Sequence, residues 1–316
     1  MPTQSFNPLL SIVIPAYNPR EHVRIIIETL AAQYAQNSIE AIIVDDGSEP
    51  AINFDFKQLP STIHFDILRL PQNTGRAGAL NAGINKSSGQ FITFLDVDCI
   101  PEPHFLINVI KHIKKEIPLF FGHIRFCSTD SYFDDYCNNI QRHRYLDINN
   151  WEMRLTSANV TVRRDLIESI NGFNRHYQHY GFEDRDLFIR LKEAFPNLHP
   201  EYLMSCCVKH VDTLCIEDIV KKFWLSGRYT ADIFRKDHPQ EYRQMPQHYF
   251  DAQYHLFYRF FPPFILHGFA SSGHFIFNRL FFIGRRLGWR WLSDITLKFL
   301  SGLAFLRGTL NQSNCA

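Results

Sequence analysis

Two acidic residues separated by a single residue lie directly after an apolar run in the first half of the chain. The run is FITFL, residues 91–95, and the acids are Asp96 and Asp98. Repulsion between two such carboxylates is offset when a divalent cation lies between them and a ligand. Carboxylate oxygens suit Mg²⁺ or Mn²⁺, which commonly also bind substrate phosphates. The alternative is structural: either acid makes a turn or caps the helix that follows.

Two further apolar runs end in polar groups. Residues 10–16 lead into Tyr17 and Asn18, and residues 41–44 lead into the sequence DDGS, residues 45–48. The carboxyl ends of parallel strands meet at one edge of a sheet, and ligands of open α/β sheets bind outside that edge. We therefore expect these polar groups and the two acids after residue 95 to line one cleft.

The elements that must position these groups alternate along the chain. Continuous apolar runs indicate strands covered on both faces, and apolar residues at helical spacing indicate helices between them. This order predicts an α/β fold with a mostly parallel sheet flanked by helices. In the first half, strands are predicted over residues 10–16, 41–44, 64–70 and 90–95, and helices over residues 20–34, 75–86 and 102–116.

The second half of the chain is less regular. Residues 130–150 are polar and aromatic and predict a mobile loop, whose ordering would exclude water from a site. Beyond residue 236 the chain reads as helices broken by Pro262, Pro263 and several glycines. The other predicted strands span residues 119–126, 156–162 and 204–211, and the other predicted helices span residues 164–170, 184–194 and 216–236.

Composition limits the class of protein and its compartment. A net charge of +1 over 316 residues gives no sign of a nucleic-acid partner. The seven cysteines show no CxxC pair and no disulfide spacing, which is typical of a reducing compartment. The first 19 residues lack a basic region and a small-residue cleavage site, so we expect no signal peptide and a cytoplasmic protein.

Four segments of the first half form a set: SIVIPAYN (11–18), IIVDDGS (42–48), NTGRAGALNAGI (73–84) and FITFLDVD (91–98). In this order and at this spacing they resemble the nucleotide-sugar domain of family-2 glycosyltransferases. The resemblance covers residues 9–215 and implies the GT-A fold, which has a Rossmann-like sheet. It implies a GT-A domain over 1–245, with a nucleotide-sugar half (9–125) and an acceptor half (126–215), followed by a helical extension over 246–316.

The resemblance implies a role for each polar group. Asp45 or Asp46 accepts a hydrogen bond from the base, and a carboxylate there favours a base with an N–H donor, such as uracil. Asp96 lies near the ribose, and Asp98 binds the Mn²⁺ or Mg²⁺ that bridges the diphosphate. The other implied contacts with the nucleotide are Pro15, Tyr17, Asn18 and Arg76. The alternatives are a simple turn at residues 45–48 and a solvated helix start at Arg76.

A second segment, residues 157–191, carries an N-x-x-x-R-R strand, a Gly172-Phe173 turn and a Glu183-Asp184 pair at the start of a helix. It resembles the acceptor-side region of the same family, except that Asn171 replaces a second glycine before Gly172. The resemblance implies that Asp184 takes the proton of the acceptor hydroxyl in an inverting transfer, with Glu183 orienting substrate or sharing that role. The alternative is a pair of acids that simply favours the helix start.

Two single residues complete the predicted site. His210 lies where a histidine often completes the metal site in relatives with the GT-A fold. Trp151 precedes the acceptor segment and is expected to stack under a sugar ring. A lone histidine is also commonly structural, and a core tryptophan is an equal alternative for Trp151.

The C-terminal segment, residues 252–316, is basic and aromatic. It contains seven Lys or Arg and one acid, Asp294, which leaves the rest of the chain with a net charge of −5. This pattern predicts peripheral attachment to an anionic membrane, at the inner face of the plasma membrane. The alternatives are a helical subdomain packed on the acidic body and a dimer interface. The longest uncharged run, residues 260–278, contains too many Pro, His, Gly and Ser residues for a membrane span.

Together the patterns and the resemblance predict an inverting, metal-dependent glycosyltransferase. It would move a sugar from a nucleotide-sugar, with UDP as the expected carrier, to a hydroxyl of a glycan or lipid-linked acceptor in surface polysaccharide or glycolipid synthesis. The alternatives are a nucleotidyltransferase and a non-catalytic protein that binds sugar nucleotides. A nucleotidyltransferase needs a Gly-rich basic loop after the first strand, which PAYNPRE, residues 15–21, lacks. The sequence leaves the sugar, the linkage and the oligomeric state open.

Overall fold

The computed structural model describes residues 7–19, 21–33, 38–59, 62–146 and 148–312. Both end residues of the helix predicted over 20–34 lie outside these ranges. Residues 1–6, which belong to the segment expected not to be a signal peptide, also lie outside these ranges, as does residue 147 of the predicted loop.

Eight strands form one sheet, and four of its seven neighbouring pairs are parallel. Their order across the sheet is β3-β2-β1-β4-β7-β6-β8-β5. The strands are β1 (Leu10–Ala16), β2 (Ile39–Asp45), β3 (Ile63–Arg69), β4 (Phe91–Leu95), β5 (Cys99–Pro101), β6 (Leu119–Phe126), β7 (Asn159–Arg163) and β8 (Glu201–His210). The α/β class predicted from the sequence is therefore confirmed.

Helices cover both faces of the central strands. The helices up to residue 194 are α1 (His22–Ala31), α2 (Gly75–Lys86), α3 (Phe105–Ile113), α4 (Ser131–Leu146), α5 (Arg164–Ser169) and α6 (Glu183–Ala194). The apolar residues of α1 and α3 join one core cluster with Ile12 and Ile14 of β1. On the opposite face α2 lies close to the strands, since a Cβ added at Gly83 would stand 2.3 Å from Val13. This two-sided cover explains why β1 and β2 are uninterrupted apolar runs.

The segment from Asp96 to Asp98 carries the chain from the middle of the sheet to its edge. Strand β4 pairs with β7, whereas the three-residue strand β5 pairs with β8, with Cys99 opposite His210. The backbone N–H of Asp96 donates to Ala158, just before β7, and the carbonyl of Asp98 accepts from Val211, just after β8. The two acids are therefore anchored to different strands. The sequence did not predict β5, because three residues give no periodic signal.

The prediction of a mobile loop over residues 130–150 is wrong, since Ser131–Leu146 form helix α4. Asp130 caps its start by accepting a hydrogen bond of 3.0 Å from the backbone N–H of Tyr132. The buried ring of Phe133 and two hydrogen bonds between the Asn138 amide and the backbone of Phe126 hold the helix against β6. The polar composition of this segment gave no indication of these contacts.

The described chain divides into two compact units. The first contains the residues up to Gln178 together with Asp184–Thr213, and the second contains His179–Glu183 and the residues from Leu214 onward. The domain boundary predicted at residue 245 stays a prediction. The helices of the second unit are α7 (Ile216–Leu225), α8 (Ala231–Asp237), α9 (Pro239–Arg243), α10 (Pro263–Leu287) and α11 (Arg290–Leu310), with a π-helical turn over Ser226–Thr230 that joins α7 to α8. Among the described residues, no helix is long and apolar enough to span a bilayer.

Candidate active site

Arg76, in the first turn of α2, joins two of the predicted acids. Its Nη2 lies 2.5 Å from Oδ1 of Asp96, and its Nη1 lies 3.0 Å from Oδ1 of Asp184. These acids are 88 positions apart in the sequence by their numbers, yet one guanidinium contacts both. The three side chains are between 19% and 28% exposed, so this cluster is partly open to solvent. The structure thus brings Asp96, one of the two acids that follow β4, and the predicted base Asp184 together.

Ser157 completes this cluster and was missed in the sequence analysis. Its hydroxyl donates to Oδ1 of Asp184 and accepts a hydrogen bond of 2.6 Å from Nη1 of Arg76. Oδ2 of Asp184 has no hydrogen-bond partner among the described residues. One carboxylate oxygen is therefore held in place while the other is available to a ligand. The sequence signals for Ser157 were its place in the strand predicted over residues 156–162 and at the start of the acceptor-side segment.

Asp98 and His210 form a second contact in the same unit. Nε2 of His210 lies 3.3 Å from Oδ2 of Asp98, and the histidine ring stacks on Phe126 with the ring centroids 4.5 Å apart. Oδ1 of Asp98 and Nδ1 of His210 are both buried without a hydrogen-bond partner among the described residues. Buried polar atoms normally have partners. The two orphaned atoms therefore fit a pair that contributes to a cation site.

The described residues contain no group of three or more His, Cys, Asp or Glu side chains that could hold a metal ion by themselves. A site built on Asp98 and His210 would thus take its remaining ligands from water and from a bound diphosphate. This is the usual arrangement for Mg²⁺, which binds few carboxylates and completes its shell with waters and substrate phosphates. The donor set fits a substrate-completed cation site and does not fit a closed structural one.

Asp45, at the end of β2, is completely buried and bonded to its own surroundings. Its Oδ1 accepts a hydrogen bond of 2.8 Å from the N–H of Ser48, and its Oδ2 accepts one of 3.0 Å from the N–H of Ile52 and pairs with Arg69 at 2.5 Å. Burial raises the pKa of the Asp45 carboxyl, but the hydrogen bonds from Ser48, Ile52 and Arg69 together lower it below its ordinary value. This carboxylate holds the turn over residues 45–48.

Asp46 connects the end of β2 to the start of α2. Its Oδ1 accepts hydrogen bonds from the N–H of Thr74 at 2.7 Å and from the Thr74 hydroxyl at 2.8 Å. Burial raises the pKa of Asp46, and the hydrogen bonds from Thr74 offset this only in part. The N-terminus of α2, which carries Arg76, is thereby fixed to the sheet edge. Thr74 was not singled out from the sequence.

The three predicted nucleotide contacts at the carboxyl end of β1 lie at the same sheet edge. The ring of Tyr17 is 54% exposed, which leaves an aromatic face accessible. Asn18 has a left-handed backbone with φ of 46°. Its N–H donates to the Ser48 hydroxyl at 2.9 Å, and its Oδ1 accepts from the N–H of Glu49 at 2.9 Å. Pro15 is half-buried within β1. The ends of β1 and β2 are therefore tied together through side-chain bonds.

Two predicted site residues are enclosed by protein. Trp151 is 3% exposed and packs edge-to-face on Phe188, with ring centroids 6.2 Å apart, which is the geometry of a core residue. Its predicted stacking under a sugar stays a prediction. Glu183 is 5% exposed and accepts a hydrogen bond of 2.9 Å from the N–H of Gly181. Gly181 has φ of +117°, a conformation that favours glycine, so this bond holds a tight turn before α6.

The turn at Gly172 is held by residues that the sequence did not indicate. Arg190 of α6 donates to the carbonyls of Ile170 and Gly172 at 2.8 Å each and pairs with Asp186 at 2.8 Å. The amide of Asn81 bonds both backbone groups of Phe173. A hydrogen-bond network therefore connects α6, which begins with the Glu183-Asp184 pair, to α2, which carries Arg76.

Comparison with known proteins identifies the family. The model of the family described as Glycosyl transferase family 2 matches residues 11–185, more than half of the chain. Glycosyltransferase AglE of Haloferax volcanii is 26% identical over 180 residues, which are 54% of this chain and 57% of AglE. This chain therefore matches little more than half the length of that relative.

Solved structures agree on the fold. S. aureus TarS 1–349 in complex with UDP superposes with a TM-score of 0.52 at 15% identity, covering 96% of this chain and 90% of that one. The mannosyltransferase PcManGT from Pyrobaculum calidifontis, in complex with GDP-Man and Mn²⁺, superposes with a TM-score of 0.54 at 15% identity, covering 97% and 89%. At this identity the likeness supports the fold alone.

Proposed function

We propose, from the premise that this chain belongs to glycosyl transferase family 2, that it is an inverting, metal-dependent enzyme using a nucleotide-sugar donor. The family confirms the predicted glycosyltransferase activity in general terms. The proposal adds UDP as the nucleotide and a hydroxyl of a glycan or lipid-linked molecule as the acceptor. The observation that carries it is the contact of Arg76 with both Asp96 and Asp184, which unites the donor and acceptor motifs.

The proposed transfer uses the free oxygen of Asp184. The acceptor oxygen attacks the anomeric carbon of the sugar from the face opposite the diphosphate, and a new C–O bond forms. The bond between that carbon and the diphosphate oxygen breaks, and its electron pair stays on the nucleoside diphosphate. The hydroxyl proton passes to Oδ2 of Asp184, while Ser157 and Arg76 hold Oδ1 in place.

In this proposal Asp98 and His210 hold the divalent cation. When bound, Mn²⁺ or Mg²⁺ supplies positive charge that stabilises the departing diphosphate. A carboxylate oxygen suits either ion, whereas an imidazole nitrogen is a less common ligand for Mg²⁺, so the pair favours Mn²⁺. PcManGT is described with Mn²⁺ and supports this choice.

The nucleotide is proposed to lie against the polar ends of β1 and β2. The exposed ring of Tyr17 offers a stacking surface. Of the two acids, Asp46 is the proposed acceptor for the uracil N–H, since the turn and Arg69 occupy both oxygens of Asp45. The relatives are described with UDP and with GDP-Man, so the choice of UDP rests on the implied role of these acids. A screen of UDP- and GDP-sugars for thermal stabilisation in the presence of Mn²⁺ tests it directly.

Replacement of Asp184 tests the proposed mechanism. Asp184→Asn keeps the shape of the side chain but removes the base, so turnover of the stabilising donor should fall by about 10²–10⁴-fold. Thermal stabilisation by the donor should persist, because the nucleotide contacts are unchanged. The matched control is Glu193→Gln on the same helix, whose side chain is exposed. Full turnover by Asp184→Asn, or equal loss in both variants, would exclude this role for Asp184.

The second unit has the exposed apolar surface that membrane attachment requires. On α10, Phe264, Phe269 and Phe275 are 75%, 64% and 58% exposed. Exposed basic residues share the helix, including Arg279 and Arg286. Apolar rings beside cations suit the surface of an anionic bilayer, and we propose that surface as their partner.

Vesicle sedimentation tests the membrane proposal. The chain should pellet with vesicles that contain phosphatidylglycerol and stay in solution with phosphatidylcholine alone. Phe264→Ser combined with Phe269→Ser should reduce pelleting, whereas Ile107→Ser, an exposed apolar position of the first unit, should not. If the chain pellets with neither vesicle type and sediments as a dimer in solution, the result would favour an interface between two copies of the chain instead.

A further inference from the structure

The second unit contains a cavity that the proposed transfer does not use. Helices α7, α10 and α11 surround it, and its volume is about 340 Å³. One part of the wall is apolar and includes Ile216, Val220 and Ala304. None of the residues assigned to the donor, the acceptor or the cation lines it. A volume of this size accommodates a small organic molecule.

A guanidinium on this wall lacks a hydrogen-bond or ion-pair partner among the described residues. Arg307 lies on α11 between the buried residues Leu306 and Gly308, and its own side chain is half-buried. It forms no ion pair and no hydrogen bond with any other residue that the structure describes. Removing a charged group from water is costly unless an opposite charge or hydrogen-bond acceptor compensates. The position of Arg307 therefore favours an anion in the cavity.

Other groups on the wall of the cavity also favour a negatively charged ligand. Nδ1 of His274 is buried without a hydrogen-bond partner in the described chain. Asn278 follows it by one turn of α10, and the exposed Lys221 of α7 adds a second positive charge. Glu217 is the only acid among the wall residues, so the cations outnumber it. Burial and the nearby Arg307 lower the pKa of His274, so at neutral pH its ring is a neutral donor or acceptor.

We propose that this cavity binds a phosphate group carried on a molecule with an apolar part. A guanidinium matches two phosphate oxygens at once, and a lysine ammonium adds a point charge. The imidazole and amide groups supply further hydrogen bonds. The apolar wall and the volume, which exceeds that of a lone phosphate, leave room for the attached apolar group. The proposal does not depend on glycosyl transfer, because it uses only residues of the second unit.

Calorimetric titration of the full chain tests this site. One probe is inorganic phosphate and the other is dihexanoyl phosphatidic acid below its micelle concentration, with dihexanoyl phosphatidylcholine as the neutral comparison. EDTA in every titration removes any cation-dependent phosphate site. We expect saturable binding of both phosphate probes, with the phosphatidic acid binding more tightly, and no binding of phosphatidylcholine. A preference for inorganic phosphate would overturn the proposed apolar attachment and assign the cavity to a free phosphate.

Variants locate the binding. Arg307→Gln should weaken binding by about tenfold or more, which is the scale of one lost hydrogen bond to a charged group. Lys221→Gln should weaken it by a few-fold, and its exposed position keeps the fold intact if Arg307→Gln does not fold. Lys298→Gln, an exposed cation on the same helix α11 outside the cavity, should change nothing. Absence of saturable binding in the wild type, or equal weakening by Lys298→Gln, overturns the proposal.

Discussion

The ends of β2 and β4 present the same sequence signal and different chemistry. Each is an apolar strand that runs into two acids. At the end of β2, the turn and Arg69 occupy both oxygens of Asp45. At the end of β4, Asp98 retains a buried oxygen without any hydrogen-bond partner in the described residues. A carboxylate whose two oxygens both accept hydrogen bonds from the protein stabilises the fold. A carboxylate with an unbonded oxygen can instead bind a ligand.

The difference arises from where the chain goes next. After β2 it turns back on itself, so the N–H groups of Ser48 and Ile52 reach Asp45 from within a few residues. After β4 it crosses to β5, and the neighbours of the two acids come from remote segments, Arg76 for one and His210 for the other. A local turn can satisfy a carboxylate by itself. After a crossing, the carboxylate is contacted by residues from remote segments, and these are also residues proposed to contact the ligand.

Replacing Asp98 should give the largest effect on activity. Asp98→Asn removes a negative ligand from the proposed cation site, so kcat/KM should fall by about 10²–10³-fold, since such a cation contributes several kcal/mol to transition-state stabilisation. The free energy of unfolding should change by less than about 1 kcal/mol, because the contact with His210 is partly exposed. Steady-state turnover across a Mn²⁺ titration and urea unfolding measure the two quantities.

Asp66, whose side chain is 41% exposed, is a suitable control for this prediction, since it pairs with Lys86 away from the site in the same unit. Asp66→Asn should leave both quantities unchanged. A large loss of stability with unchanged turnover in Asp98→Asn would place Asp98 in the same class as Asp45 and remove the contrast between the two strand ends.

Replacing Asp45 should produce the opposite pattern. Asp45→Asn leaves Arg69 without its buried counter-charge and weakens the turn, so the free energy of unfolding should fall by about 2–4 kcal/mol. Urea unfolding near neutral pH measures this loss, and Arg69→Gln should reproduce most of it. A loss no larger than that of Asp98→Asn would show that the filled carboxylate contributes nothing special to stability.

The sequence was sufficient for the fold class and for the position of the polar groups at strand ends. Strands such as β1 and β6 were predicted at their observed bounds, because a short apolar run bounded by polar residues is typical of a buried strand. The sequence could not give β5, the crossing to the sheet edge or the helix over Ser131–Leu146. These features depend on single caps and on pairing with remote strands, which leave no periodic pattern.

The candidate site was predictable only as a set of residues. The motifs named Arg76, Asp96 and Asp184, but not that one guanidinium joins both acids, nor that Ser157 shares the bond. The sequence analysis also left open whether Trp151 belongs to the core, and burial against Phe188 favours that alternative. Contacts between distant segments decide both questions, and a single sequence does not record them.

The smallest expected effect is a difference between the two adjacent acids at the end of β2, Asp45 and Asp46, in how their contribution to stability depends on pH. The folded pKa of Asp45 is lowered, so its stabilisation is present above the unfolded pKa, about 3.9, and is lost as the pH falls through the folded value. The folded pKa of Asp46 is raised, chiefly by burial, so its charge opposes folding above that pKa and acidification removes the penalty. The stability lost in Asp45→Asn relative to the wild type should therefore shrink only as the pH falls below about 4.5, while that lost in Asp46→Asn should already grow between about pH 6.5 and 4. Each unit of pKa difference corresponds to about 1.4 kcal/mol at full titration, and urea unfolding at several pH values resolves the two slopes. Parallel slopes would mean that the neighbouring carboxylates experience the same environment, although only Asp45 is paired with Arg69.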